Sequence, residues 1–449
     1  MSTVRKPDFD VAVVGASLAG CAAATLYARR GARVALIEKA TGLDHYKVIC
    51  GHFIQAGAAA TIDRLGLRPL IQAAGSVPGI VDIYTPYGWI MAPRGAEVDP
   101  SEPLGVNLRR QTLDPIIRRL AAETPGVDLL MGATVDELLA SDGRVSGVAM
   151  RERSGTRRNL GARLVVAADG RDSNLARLAA VPARLRRNLR LGYQMYFHDL
   201  QMPHGDGISQ IWFLDGHNAY AFPNEDGITA VAAMPTKELL PEFRRDREQA
   251  YFRFIEALPD APPVRDAEPA SKLLGKLDLT NRSRPAAARG MAFIGDAATA
   301  ADPVWGVGCG WALESAEWLV EATAERLEST AGLEVGLQAY RRRHRNWLGA
   351  HNFLINDFSG RSRFSRIERR LFAAAARDRV VARAMRRHGA RLDHPTALLR
   401  PGLLRRVLGA SAGRDRVARR DGAGGLRHAE ATRGAQPVIA TPGPGRGRA

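Results

Sequence analysis

Cysteine is scarce in this chain: Cys21, Cys50 and Cys309 are the only three among 449 residues. None stands in a Cys-x-x-Cys pair, which argues against both a disulfide framework and a dithiol redox enzyme, and Cys50 reads as a buried small hydrophobe rather than a catalytic thiol. Long uncharged apolar runs are also missing, so no segment reads as a bilayer span and integral membrane association is not expected. From Met1 the chain passes through a charged stretch into its first apolar strand, without a signal-peptide pattern, and reads as cytoplasmic. Clustered metal ligands, paired acids and a nucleophile with its base are all absent from the pattern. No metal is expected, and a bound organic cofactor would have to carry any chemistry.

Charge is lopsided. From Arg361 to Ala449 there is no lysine, and 22 arginines face 6 acids, so +16 of the formal net charge of +17 lies in that stretch. The body before it is close to neutral. Residues 361 to about 408 have helical periodicity, with Leu371, Phe372, Ala375, Val380, Val381 and Met385 as apolar positions. Residues 409–449 are rich in Arg, Gly and Pro and are expected to be disordered. No recognition motif accompanies the charge, so it reads as a solvated face and tail. Peripheral contact with an anionic surface stays open, and a nucleic-acid partner is not expected.

Three separated stretches carry the positive signal. The first follows the apolar run Val11-Ala12-Val13-Val14 and opens an Ala-rich helix from about Ser17 to Arg30: Gly15-Ala16-Ser17-Leu18-Ala19-Gly20. In this strand-turn-helix Gly15 supplies the tight turn, the small Ser17 lets a pyrophosphate approach the backbone, and Gly20 lets helix and strand pack closely. Ser17 stands where the dinucleotide fingerprint has its middle glycine. A second strand, Val34 to Ile37, ends in Glu38, whose carboxylate suits ribose hydroxyls. The other two stretches end buried strands: Leu164 to Ala168 leads to Asp169-Gly170, and Met291 to Ile294 leads to Gly295-Asp296. Past Pro303, glycines 306, 308 and 310 lead into a helix expected to begin near Trp311, whose free amides would face whatever lies over Gly308.

These motifs, in this order, resemble the FAD-dependent aromatic hydroxylases of the p-hydroxybenzoate hydroxylase type, the class A flavoprotein monooxygenases, relatives of the geranylgeranyl reductases. The resemblance covers about residues 8 to 350. It implies that Gly15, Ala16, Ser17, Leu18, Ala19, Gly20 and Glu38 hold the ADP half of FAD. Arg110, in an Arg-x-x-Leu motif, would lie along the cofactor, and Val135 would approach the adenine through its backbone. Asp169 falls in the motif linked to both FAD and the nicotinamide, Asp296 would bind ribitol, and Gly308 would lie beside the isoalloxazine. The implied fold is α/β: a Rossmann-like FAD-binding domain in parts 1–75, 107–184 and 285–330, interleaved with an antiparallel substrate-domain sheet in parts 76–106 and 185–284. C-terminal helices (331–408) and the tail (409–449) follow. The implied reaction uses NADH or NADPH to reduce FAD, adds O2 at flavin C4a, and transfers the terminal oxygen of the hydroperoxide to an aromatic or polycyclic small molecule. No second nucleotide fingerprint is present, which fits a nicotinamide that docks transiently.

The segments between the motifs should form the substrate wall. Residues 210–214, 219–223 and 228–232 are short apolar or aromatic runs separated by Asp215-Gly216 and Asp226-Gly227, the pattern of an antiparallel meander. Tyr193, Trp212 and Tyr220, with Pro303, are the candidate substrate contacts, because a buried hydroxyl or indole needs a partner that a polar substrate could supply. A rival reading is a reductase of the geranylgeranyl type, acting on an isolated double bond. It draws on Cys50-Gly51 and on Tyr220-Ala221-Phe222-Pro223, both partial matches to that family. A flavin halogenase is set aside because the Trp-x-Trp-x-Ile-Pro signature is missing. A non-catalytic flavin scaffold whose tail meets a polyanion is the remaining alternative.

Overall fold

The computed structural model describes residues 7–411; the first six residues and the tail from 412 onward lie outside the described residues. Five strands form the parallel core of the first sheet, in the spatial order Met291–Phe293, Arg157–Ala167, Phe9–Val14, Val34–Glu38, Val127–Met131. Near-continuous Val, Ile, Leu and Ala runs make these strands, since both faces of the sheet are covered. One face packs on the helices Leu18–Ala28 and Val307–Thr323, and the other on Val145, Val148 and Met150 of the strand Arg144–Arg151. The carboxyl ends of the parallel strands therefore converge on one edge, where Gly15, Glu38, Ala168 and Gly295 emerge. That edge is where open α/β sheets place ligands.

A second, nine-stranded sheet stands over it. Ile208–Leu214, His217–Pro223 and Ile228–Met234 form the expected antiparallel meander, and Gly192–His198 pairs with the last of them. The sheet is mixed rather than purely antiparallel: Ile208–Leu214 runs parallel to Val77–Thr85, because the two strands come from separate chain segments and need no hairpin. Alternation sorts its side chains. Ile211, Phe213, Tyr220, Phe222, Ala232 and Met234 face one side, while Trp212, Ala219, Val231 and Ala233 face the other, against Phe243, Tyr251 and Ile255.

Helix boundaries depart from expectation in three places. The first helix is shorter, Leu18–Ala28. The helix expected near Trp311 begins at Val307, because Gly306 takes a left-handed conformation (φ +61°) that turns the chain directly into it. The last helix, Pro401–Ser411, runs past residue 409, where the tail was expected to begin.

The C-terminal helices Arg366–Ala375, Arg379–Gly389 and Pro401–Ser411 cover the sheet on its Phe213 side. Phe372, Ala375, Val381 and Met385 are buried as expected, whereas Val380 is exposed, since the Asp378 cap sets the helix phase so that 381, 382 and 385 point inward. Beneath lie three histidines held neutral by burial: His344 and His388 are pushed down to about 4 and His351 to about 3. The His351 and His388 rings stack at 4.9 Å. Unfolded histidines take up a proton below about pH 6.5 and these do not, so their contribution to stability is complete above that value and is lost as the pH falls toward about 4. Thermal unfolding should accordingly shift down by several degrees between about pH 7 and pH 5, and His351→Gln should flatten that dependence.

Candidate active site

Gly15 sits at φ +106°, and a Cβ there would lie 2.5 Å from the Ala168 carbonyl oxygen. A Cβ on Gly20 would lie 1.8 Å from the Gly15 carbonyl oxygen, so the close helix–strand contact read from the fingerprint is present. Two carboxylate bonds fix the turn: Glu38 accepts from the Ala16 amide (2.7 Å) and from the Ala40 amide (2.9 Å). Buried Arg118 clamps it from behind, donating from Nε to the Ala16 carbonyl (2.9 Å) and from Nη1 to the His45 carbonyl (2.7 Å). Gly15, Ser17, Leu18, Ala19 and Glu38 line a cavity of about 820 Å³ between the two sheets; Ala16 and Gly20 shape it without lining it.

The later motifs line the same cavity. Asp169 has both oxygens engaged at the next turn, accepting from Ser173 Oγ (2.6 Å) and the Leu175 amide (2.9 Å). Val135 lines the cavity with its carbonyl held by Asn174 Nδ2 (3.0 Å), and Asp296 meets Lys47 Nζ at 3.1 Å. Gly308 lies in the first turn of its helix, which no side chain caps, and a Cβ there would meet nothing within 4 Å. The cavity thus has a glycine at an uncapped helix start, whose amides suit an electron-rich ring edge, and carboxylates of Glu38, Asp169 and Asp296 on its wall. These features fit FAD.

Beside that helix start stands a group that spacing in the sequence did not reveal. Cys50 and Cys309, 259 residues apart, bring their sulfurs to 3.8 Å. Arg110 Nη1 is 3.9 Å from each sulfur, its Nε and Nη2 bind Asp114 (2.7 and 3.0 Å), and its Nη2 also donates to Ser17 Oγ (2.7 Å). The hydrogen bond from Cys309 holds the Cys50 thiol well below its ordinary range against the opposing effect of burial, with Arg110 adding to it. The same bond, together with burial, pushes Cys309 well above its own range. The two sulfurs therefore share a hydrogen bond beside the Arg110 guanidinium. His52 is next to it: its Nδ1 accepts the Arg110 backbone amide (3.0 Å), so a neutral ring carries its proton on Nε2 and donates it to Tyr196 Oη (2.6 Å). Burial pushes His52 down, which keeps the ring neutral.

Cys50 therefore lines the cavity, half-buried rather than buried, with Cys309 beside it. The absence of Cys-x-x-Cys excluded only a local pair; this one is assembled by tertiary contact between the 47–52 loop and the Val307 helix. Among the substrate candidates, Tyr220 lines the cavity, hydrogen-bonded to Gln194 Oε1 (3.0 Å), and so does Pro303. Trp212 does not. It is fully buried on the far face, its Nε1 donating to the Pro259 carbonyl (2.8 Å), because strand alternation puts Ile211 and Phe213 on the near side. Tyr193 borders the cavity, but its ring stacks on Phe243 at 4.8 Å on the far face, and its neighbour Gln194 makes the polar contact inside.

A parallel sheet whose strand ends line one cavity, roofed by a second sheet, fits a FAD-dependent oxidoreductase. The chain belongs to the FAD binding domain family, whose model matches residues 8–349. Digeranylgeranylglycerophospholipid reductase 1 of Methanococcoides burtonii is 26% identical over 373 residues, 78% of this chain and 84% of that protein. Squalene epoxidase 4 of Arabidopsis thaliana is 30% identical over 197 residues, 43% of this chain and 38% of that protein. Among solved structures, the flavin-dependent brominase Bmp2 superposes with a TM-score of 0.71 at 18% identity, covering 90% of this chain and 99% of that one. Among the described residues no helix is long and apolar enough to cross a membrane, and no group of His, Cys, Asp or Glu could hold a metal ion.

Proposed function

We propose that this flavoprotein reduces carbon–carbon double bonds in a bulky apolar small molecule of isoprenoid character. The observation that carries this reading is the Cys50–Cys309 pair on the cavity wall, its sulfurs 3.8 Å apart, beside Gly308. The residues to hold FAD would be Gly15, Ser17, Leu18, Ala19 and Glu38 at the ADP end, Val135 at the adenine, Arg110 and Asp169 along its length, and Asp296 and Gly308 at the ribityl and ring end. When bound, FAD supplies an electron pair received from NADH or NADPH.

Saturating a double bond takes a hydride equivalent, two electrons with one proton, and one further proton that the protein would have to supply. A thiol of the Cys50–Cys309 pair would stand at the cavity wall to supply that proton, and Arg110, 3.9 Å from each sulfur, would stabilise the single thiolate left behind. Tyr220, Phe222, Met234 and Leu279 exclude water and offer apolar surface to a hydrocarbon chain. Thiolates are readily oxidised by peroxides, so a thiolate at this position is a poor companion for oxygen-activating chemistry. The reductases among the relatives, matched over most of their length, support the reading.

Hydroxylation of an aromatic or polycyclic substrate with O2 is the second reading. It is favoured by the partial match to squalene epoxidase and by the Tyr220–Gln194 hydrogen bond, which could orient a substrate hydroxyl. Photoreduced holoprotein mixed with geranylgeranylglycerophospholipid without oxygen separates the two. The reductase reading expects the yellow oxidised absorbance to return at a rate set by lipid concentration. No return under argon, with prompt return on admitting air plus an aromatic substrate, would favour hydroxylation.

A further inference from the structure

The basic C-terminal region is not uniformly solvated. Several arginines of this region are paired: Arg361 with Asp357 and Glu368, Arg387 with Glu102 and Asp393, Arg406 with Asp378. By contrast Arg366, Arg370, Arg400 and Arg405 are exposed and have no carboxylate within ion-pair distance among the described residues. Interleaved with them are aliphatic side chains open to solvent. Ile367 is 78% exposed between Arg366 and Arg370, and Leu404 and Leu408, one turn apart and the latter 58% exposed, flank Arg405. The helices Arg366–Ala375 and Pro401–Ser411 that carry these residues pack on each other. Their inner residues, Phe372 and Leu403, belong to the same apolar cluster as Tyr220, Phe222 and Met234 of the cavity wall. Beyond Ser411 the sequence adds eight arginines against three acids.

We propose that this outer face is a docking surface for an anionic lipid bilayer. Unpaired guanidiniums meet lipid phosphates, while the aliphatic side chains between them enter the headgroup and acyl boundary, an arrangement that gives affinity only when both partners are present. A nucleic acid would satisfy the arginines but offers nothing to Ile367, Leu404 and Leu408. The proposal builds on the isoprenoid reading above, for which it supplies a source of substrate next to the cavity wall. Its test reads binding and not turnover, so the two stand or fall separately.

The full-length, flavin-loaded protein is co-sedimented with vesicles of phosphatidylcholine, with and without phosphatidylglycerol, at low and moderate salt. Binding to the phosphatidylglycerol vesicles should be stronger by about tenfold or more. It should be lost in both Ile367→Glu/Leu404→Glu/Leu408→Glu and Arg366→Glu/Arg370→Glu, with flavin content and melting temperature unchanged, since all five positions are exposed. Equal binding to neutral vesicles, no vesicle binding, retention by either variant, or tighter binding to a DNA duplex than to the vesicles would each overturn the proposal.

Discussion

Gly308→Leu should purify as a folded protein without yellow colour. The residue is helical, its φ is not among the positive values, and a Cβ would meet nothing within 4 Å, so the substitution strains no backbone and displaces no neighbour. The isobutyl group projects into the cavity over the uncapped first turn, where the ring of FAD would lie. Overpacking of this kind costs about 1–3 kcal/mol, roughly a ten- to hundredfold loss of flavin affinity. Gly15→Val should also lose flavin but for a different reason, a branched side chain at φ +106° facing the Ala168 carbonyl, and it should lower the melting temperature as well. Visible absorbance together with thermal unfolding distinguishes the two. Full flavin occupancy in Gly308→Leu would remove that helix start from the cofactor site.

Cys50→Ser should bind flavin normally and lose most of its activity on an alkene. Serine keeps the size of the side chain and its hydrogen bonding but not the acidity of a thiol, so the proposed proton-donating pair is lost. Proton donation by a positioned group is worth about 10²–10⁴-fold, and a loss in that range is expected for Cys50→Ser and for Cys309→Ser. The readout beyond rate is the pH profile: the limb set by the coupled thiols should vanish in both variants. If Cys50 only fills space, the rate stays within a few-fold of wild type and the profile keeps its shape.

The strand-turn-helix at Gly15, the carboxylate at Glu38 and the strand ends at Asp169 and Asp296 were legible because each is a local pattern: an apolar run, then a glycine or acid at fixed offset. The meander was legible for the same reason, through Asp-Gly turns at 215–216 and 226–227. What escaped is non-local or depends on strand phase. Trp212 and Tyr193 carry the residue types of a pocket, but each strand offers two faces and composition does not say which is inward, and here Tyr220 and Gln194 are the inward ones. The Cys50–Cys309 pair spans 259 residues, and no spacing rule reaches across that distance. A usable signal existed: the only two cysteines outside the first helix each lie beside a glycine-containing cofactor segment, Cys50 before Gly51 and Cys309 between Gly308 and Gly310. The helix start at Val307 was missed because three glycines in five residues read as loop. They persist inside a helix because two of them face open space or a close neighbour, Gly308 the cavity and Gly310 the Arg391 side chain.

One cavity is proposed to hold FAD and to pass its electrons to a double bond rather than to oxygen. Single-turnover product mass distinguishes the two fates: reduced holoprotein is given geranylgeranylglycerophospholipid under argon and, in parallel, in air. A product heavier by two hydrogens is expected under argon, with no oxygen incorporated in either atmosphere. A product that forms only in air and carries one added oxygen atom would contradict the proposal.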